Sequence, residues 1–461
     1  MDKDNFIKEN EKIATALKKV SGSFGKIICV IDNNKTLLGI VTAGDIRRAI
    51  LAGNDPKQSI KKIYNKNASF IFESELISKK LIRSKLSNRD INQSIFYIPV
   101  VNEKMKVKNI LSTERVLDLI ESKKNLRQKK KNKIPKILIV GGAGYIGSVL
   151  CNKLLKKNYK VKIVDKVLYD KNVVNNFIKN KNFSFAKADI CDLNTQINVI
   201  RDIDIVVFLA EIVGDPACNA RPEDALKTNY LSIASMAQLC SHLGISKFIY
   251  TSSCSVYGLD KKNKLLTEKS DLNPISHYAR MKIMSEKALL ANKNNIFKPT
   301  IFRLGTVFGP SLRNRFDLVV NTMAKNAYYN KKINLHGGEQ WRPNIHVEDV
   351  ADGIIASIKS NQKNVGNKIF NLSSDRSNFK IKDIAFAAKK VFKKSRIDIL
   401  KSMTDARNYR VSSKKLFVST GFKAKKTINQ AYKDFEKLFK NNKNFNPNKK
   451  IFSNIKVLSD K

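Results

Sequence analysis

Tyr278 and Lys282 lie four residues apart, and Ser253 precedes the pair by 25 residues. On a helix, positions i and i+4 share one face. An ammonium beside a phenol favours the phenolate and draws its pKa down from about 10 toward the working range. A phenolate held there can take a proton from a hydroxyl, while a serine hydroxyl hydrogen-bonds the same oxygen. Tyr-x-x-x-Lys alone is common by chance, as a surface tyrosine beside a lysine. Its meaning depends on what surrounds it.

Upstream stands a second set. Lys136–Val140 is a continuous apolar strand, and Gly141-Gly142-Ala143-Gly144-Tyr145-Ile146-Gly147 follows directly. A helical pattern begins at Ser148. Gly141, Gly144 and Gly147 allow a tight turn and a close backbone approach, with Tyr145 and Ile146 between them. The helix N-terminus adds partial positive charge for a pyrophosphate. The next strand ends in Asp165, 18 residues after Gly147. A carboxylate there accepts from adenosine ribose hydroxyls and repels a 2′-phosphate, which favours NAD over NADP; Lys166 beside it works the other way. The two sets together describe hydride transfer, with Tyr278 moving the proton and a nicotinamide taking the hydride.

The elements that must position these residues divide the chain. The cationic run Lys123–Lys133, followed by Pro135, cannot bury itself and separates two patterned regions. We expect modules at 1–64 and 65–122, a basic linker at 123–135, a catalytic region at 136–440 and a loosely held Lys/Asn-rich tail at 441–461. Strand–helix alternation after the linker predicts an α/β fold, a doubly wound parallel sheet of Rossmann type. The first region is α+β and reads as a repeated β-β-α unit, hence two packed modules. Its first half has a helix at Ile13–Val20, strands at Lys26–Ile31 and Leu37–Val41, and a helix from near Asp45. Its second half has a helix at Leu76–Leu86, strands at Ile95–Val101 and Lys106–Leu111, and a helix at Glu114–Ser122.

Charge and composition narrow the function class. Lys and Arg number 87 against 40 Asp and Glu, a net +47, yet only 17 of the 87 are Arg. The Lys excess is spread over helix surfaces and reads as Lys/Asn-rich drift, with a modest steering benefit for anionic substrates. No helix-turn-helix, zinc finger or aromatic-plus-basic RNA motif accompanies it, so nucleic acid is not the expected partner. The linker charge run alone would suit a polyanion or a membrane surface. Met1–Lys12 lacks an apolar signal core and no run of about 18 apolar residues occurs, so we expect a cytoplasmic protein without a membrane span. Six scattered cysteines without a CxxC, and no zinc-spaced histidine pair, argue against a metal and fit a reducing compartment.

Two stretches resemble known families. Cys29–Ile50, CVIDNNKTLLGIVTAGDIRRAI, resembles a CBS module, and Phe96–Ile120, FYIPVVNEKMKVKNILSTERVLDLI, resembles its weaker partner. The resemblance implies an adenine nucleotide whose ribose is held by Thr42 and Asp45, and a regulatory role for the pair. The same two residues suit a plain helix cap. The second module has Ser112-Thr113-Glu114-Arg115 there and lacks the Asp.

Ile137–Phe422 resembles the extended short-chain dehydrogenases/reductases that act on nucleotide sugars, with the motifs in the family's order. The resemblance implies NAD bound by Gly141, Gly144, Gly147 and Asp165, with Asp189, Ile190 and Ala210 bordering the adenine and the cofactor ribose. It implies a catalytic Ser253, Tyr278 and Lys282, supported by Asn229 of "KTNYLS", and a small carboxyl-terminal substrate subdomain. Family 4,6-dehydratases carry an Asp-Glu pair after the catalytic hydroxyl, whereas this chain has Cys254-Ser255. That favours 4-epimerisation or 4-oxidation. Arginine forks suit a diphosphate. Arg313 and Arg315 sit in "GPSLRNRFDLVVN", Arg342 matches the family's diphosphate-binding arginine, and Arg407 falls in a segment that lies over the nucleotide. His346 and Asp349 match a buried histidine and a helix cap. His277, beside Tyr278, is a weak candidate to line the site.

The reading is an NAD-dependent sugar-nucleotide 4-epimerase with a CBS regulatory pair, expected as a homodimer through the Tyr278 helix. A 4-dehydrogenase or reductase that releases a keto sugar of hexose or GDP-heptose type is the nearest alternative. A non-catalytic nucleotide-sensing regulator is the alternative of another class.

Overall fold

The computed structural model describes residues 5–21, 27–77, 97–112, 134–260, 264–400, 407–442 and 444–459. The chain divides into two units, Met1–Lys129 and Lys130–Lys461. The basic run Lys123–Lys133 and the helix expected at Glu114–Ser122 lie outside the described residues, as does the helix expected at Leu76–Leu86 except for Leu76 and Ile77, which end a 3-10 turn, Glu73–Ile77.

The first unit contains β1 (Phe6–Lys8), α1 (Ile13–Ser21), β2 (Ile28–Ile31), β3 (Leu37–Val41), α2 (Ala43–Leu51), β4 (Ile71–Phe72), β5 (Tyr97–Val101) and β6 (Val107–Ser112). β1 is parallel to β2 and β2 antiparallel to β3; β4 is parallel to β5 and β5 antiparallel to β6. The hairpin turns repeat as well. Asp32 Oδ1 accepts from the N–H groups of Asn34 and Thr36, and Asn102 Oδ1 accepts from those of Lys104 and Lys106. Such side-chain turns replace backbone partners that a tight reversal removes. The two hairpins meet where Leu37 N–H donates to the Met105 carbonyl at 2.9 Å. The internal repeat read from the sequence is therefore present in the strands. The first module's core is Ile7, Ile13, Ala16, Val30, Val41 and Ile46.

The second unit is built on seven strands: β7 (Lys136–Val140), β8 (Lys160–Asp165), β9 (Phe183–Lys187), β10 (Ile205–Phe208), β11 (Lys247–Ser253), β12 (Thr300–Leu304) and β13 (Lys368–Leu372). Their order across the sheet is β13-β12-β11-β10-β7-β8-β9, and every pairing is parallel. Helices on both faces explain why β7 and β10 are unbroken apolar runs. One face is covered by α3 (Tyr145–Lys156) and α8 (Val347–Lys359), where Leu150 and Leu154 join Ile354 and Ile358 in one core. The other face carries α5 (Ser232–His242) and α6 (His277–Ala291). The strand order reverses between β7 and β10, and in open α/β sheets that crevice is where ligands bind.

A smaller core lies carboxyl-terminal, between α7 (Val319–Tyr329), α9 (Ile381–Val391) and α10 (Ile428–Asn441). The tail corrects an expectation. Residues 444–459 are held: Phe452 is buried in this core, Phe316 N–H donates to the Phe452 carbonyl, and α11 (Asn454–Ser459) packs on α4 (Asp215–Ala220). The Lys/Asn composition concealed Phe445, Phe452 and Leu458, whose burial fixes the segment. A second difference concerns α8. Its N-cap is His346 itself, through Nδ1, while Asp349 accepts from the N–H groups of Lys425 and Lys426. Among the described residues, no helix is long and apolar enough to cross a membrane.

Candidate active site

The junction from β7 to α3 is an open helix end. Gly144 is the N-cap and offers no side-chain acceptor, so the first-turn N–H groups point into the crevice uncapped. Two glycines are required there. Gly141 has φ +83, and a Cβ on it would lie 2.6 Å from Ala210 N. A Cβ on Gly147 would lie 2.4 Å from the Gly141 carbonyl oxygen. Removing side chains at both points leaves a cradle of backbone for a pyrophosphate.

A cleft of about 770 Å³ opens from this junction. It is lined by Gly141, Gly144, Tyr145, Ile146, Gly147, Ser253, Tyr278, Lys282, Arg315, Arg342 and Arg407. Cofactor, catalytic and substrate candidates from distant stretches thus share one wall. Tyr145 acts as a pin: its hydroxyl donates to the Gly309 carbonyl at 2.6 Å and accepts from Asn321. Other candidates stand behind the wall. Asp165 accepts from the N–H groups of Ala143 and Val167, and burial pushes its carboxyl above the usual range. Asp189 pairs with Lys166 at 2.5 Å, Ile190 is buried, and the Ala210 backbone backs Gly141. Asn229 is fully buried in a short π-helical turn, Lys227–Leu231, and holds the Ile212 backbone by both its N–H and its carbonyl. π-Helical turns recur at functional sites because they break helix register.

Tyr278 opens α6, capped by Ser276, and is 8% exposed. Lys282 Nζ stands 5.4 Å from its ring centre. Ser253 Oγ accepts from Ser255 N–H at 3.1 Å, so its own proton remains available for a substrate oxygen. The charge state differs from the expectation. Burial raises the Tyr278 phenol well above its ordinary value, and Glu211 adds to the rise. Lys282 does not offset the burial as a bare cation would: its ammonium contacts Glu211 Oε2 and donates to the Thr251 carbonyl. Burial raises the Glu211 carboxyl and lowers the Lys282 ammonium, each opposed by the charge of the other.

Sequence reasoning missed Glu211 and Ser255, which line the same cleft; Arg313, singled out with Arg315 by its place in the sequence, lines it too. Ser255 Oγ and Arg313 Nε are buried without a hydrogen-bond partner. Arg313 stacks on Tyr169 at 3.9 Å and donates to Asn454 Oδ1 at 2.7 Å. Unpartnered buried polar atoms facing a cleft are what a polar ligand would satisfy. On the substrate side, Arg315 is held bidentately by Asp317, Arg342 Nη1 donates to the Trp341 and Arg407 carbonyls, and Arg407 lies 3.4 Å from Asp215. His277 is not among the residues lining the cleft.

In the first unit, Thr42 and Asp45 make a reciprocal cap on α2. Thr42 Oγ1 accepts from Asp45 N–H, and Asp45 Oδ2 accepts from Thr42 N–H and Oγ1. Asp45 Oδ1 accepts from Arg48. Among the described residues, no group of His, Cys, Asp and Glu side chains is arranged to hold a metal ion.

A parallel sheet in this order, with a glycine-lined cleft at its reversal and a Ser–Tyr–Lys set in the wall, defines a dinucleotide-dependent short-chain enzyme. More particularly, the chain belongs to the NAD dependent epimerase/dehydratase family, whose model matches residues 137–373; a CBS domain model matches residues 1–52. The chain is 30% identical over 275 residues to a dTDP-D-glucose 4,6-dehydratase of Dictyostelium discoideum. That match covers 56% of this chain but 61% of the relative, less than two thirds of its length. It is 30% identical over 233 residues to an uncharacterized UDP-glucose epimerase, YtcB, of Bacillus subtilis (strain 168), covering 48% of this chain and 72% of that one. Among solved structures, a UDP-glucuronic acid 4-epimerase from Bacillus cereus, in complex with UDP-glucuronic acid and NAD, superposes with TM-score 0.59 at 25% identity. That match covers 66% of this chain and 99% of the other.

Proposed function

We propose that the protein is an NAD-dependent sugar-nucleotide 4-epimerase. The observation that carries this reading is a single cleft lined jointly by Gly141, Gly144 and Gly147, by Ser253, Tyr278 and Lys282, and by Arg342 and Arg407. Epimerases and a dehydratase among the relatives agree with the substrate class. The Asp165 carboxylate, and the pairing of Lys166 with Asp189, support NAD over NADP, because the one cation beside Asp165 in sequence is engaged.

When bound, NAD would accept a hydride from sugar C4 and return it. Gly141, Gly144 and the α3 N-terminus would hold its pyrophosphate. Tyr278 would take the C4 hydroxyl proton and give it back, and Ser253 would donate to the same oxygen. Arg342 and Arg407 would anchor the diphosphate while the 4-keto sugar turns over. Dehydration lacks its acid. Cys254 stands where an acid would be needed; its thiol donates to the Arg303 carbonyl at 3.3 Å, and burial pushes its pKa far above neutral.

The test is the balance of reduced cofactor. With UDP-glucose as probe, the full chain should interconvert the C4 epimers without net NADH. Net NADH in proportion to substrate would instead identify a 4-dehydrogenase. Tyr278→Phe should lower turnover by about 10²–10⁴-fold, the usual worth of a positioned acid–base group. Undiminished activity in that variant would favour a non-catalytic role for the cleft.

A further inference from the structure

Glu211 follows β10 by three residues, at the reversal of the strand order. Its side chain is 4% exposed. One carboxylate oxygen contacts the Lys282 ammonium and the other accepts from Tyr250 Oη at 2.9 Å. Lys282 gives a second proton to the Thr251 carbonyl at 2.5 Å, which leaves one N–H for the cleft. The cation beside Tyr278 is therefore answered by an anion in direct contact. Whichever atom carries the shared proton, the Glu211–Lys282 pair is net neutral.

A neutral pair cannot do for a phenol what a bare ammonium does. Ionising Tyr278 would put a second negative charge into a buried cluster that contains one cation. The other facing groups do not change the count. Asp215 and Cys218, from α4, oppose ionisation; Arg315 favours it but is held by Asp317. Tyr250, on β11, is a neutral donor to Glu211. Glu286, on the turn after Lys282, is matched by Arg303 at 2.7 Å.

We infer that Glu211 is a positioning residue that holds Lys282 and cancels its charge, so that Tyr278 rests as a neutral phenol and becomes a base only when a second cation, the oxidised nicotinamide ring, stands beside it. The inference rests on the hydride-transfer reading for the identity of that cation. The step balances. As the oxidised ring arrives, the Tyr278 proton leaves to solvent; the C4 hydroxyl proton then goes to the Tyr278 phenolate oxygen, the C4–H hydrogen goes with its electron pair to the ring, and C4 becomes a ketone. The cluster's net charge is the same before and after. Proton removal is thereby made conditional on an oxidant being in place.

Tyrosinate absorbance of the full chain against pH, minus that of Tyr278→Phe, reads the Tyr278 phenol alone. Glu211→Gln, with its own Tyr278→Phe background, should move that titration down by about 1–3 pH units, the effect of an unmasked cation nearby. An unmoved or upward titration overturns the inference. This arm needs neither cofactor nor substrate, so it can fail while the hydride-transfer reading stands. Should Glu211→Gln not fold, the unmutated chain supplies the second arm. NAD should lower the onset of Tyr278 ionisation, and NADH, whose ring is neutral, should not. Equal effects of the two forms would overturn the inference.

Discussion

Two strand-to-helix junctions in this chain use the same local geometry to opposite ends. At β3–α2, the helix start is closed by its own side chains: Thr42 and Asp45 satisfy each other's backbone N–H groups, and Arg48 takes the remaining carboxylate oxygen. At β7–α3, Gly144 leaves the start uncapped, and Gly141 and Gly147 strip side chains from the approach. A helix end carries partial positive charge and unsatisfied donors in either case. Where the chain itself supplies the acceptor, the helix end is closed. Where it withholds one at the reversal of a parallel sheet, the helix end has the geometry that suits an anion.

The sharpest way to break this comparison is to close the open junction. Gly141→Ala forces a residue with a side chain to φ +83, at a strain of about 1–3 kcal/mol, and sets its Cβ against Ala210 N. Retained dinucleotide, measured by mass after denaturation, should fall by an order of magnitude or more. Full retention would show that the glycine cradle is not where the cofactor lies.

A third junction sharpens it through pH. His346 caps α8 with Nδ1, which it can do only as neutral imidazole, and burial pulls its pKa down to about 4. The unfolded histidine titrates near 6.5, so between those values the unfolded chain binds more protons. This contribution is complete above pH 6.5 and is lost as pH falls toward about 4, at most about 3 kcal/mol. Thermal unfolding across that window checks it. In His346→Asn, which can still cap, the acid-dependent loss should shrink; an unchanged pH profile would contradict the assignment.

The smallest effect belongs to the closed junction. Asp45→Asn should cost about 1 kcal/mol, the worth of a cap, with no change in the response of the melt to added ATP. Loss of an ATP-induced shift in that variant would make Asp45 a nucleotide ligand and the first junction a site after all.

What was legible in the sequence follows from distance along the chain. Gly141, Gly144 and Gly147, and Tyr278 with Lys282, act within one turn or one helix, so spacing alone exposes them. The alternation of strand and helix likewise declares the doubly wound sheet. Glu211 was invisible for the opposite reason. It is one acid after an apolar strand, and its partner Lys282 lies 71 residues away. Burial reverses the expected direction of the Tyr278 shift and Glu211 adds to the rise, neither of which the local spacing of Tyr278 and Lys282 exposes. The tail misled through composition. Its lysines and asparagines outnumber the few apolar residues that dock it, and Asn454 reaches Arg313 across 141 positions. Thr42 and Asp45 were legible as a pair but not as a choice between cap and ligand, because both uses need the same two side chains.

The most direct test of the central claim is the mass of the small molecules released when the purified full chain is denatured. An epimerase that keeps its oxidant through each cycle should release NAD in near-stoichiometric amount. A chain that releases no dinucleotide, or releases NADP instead, would contradict the account of the open junction and of the carboxylate at Asp165.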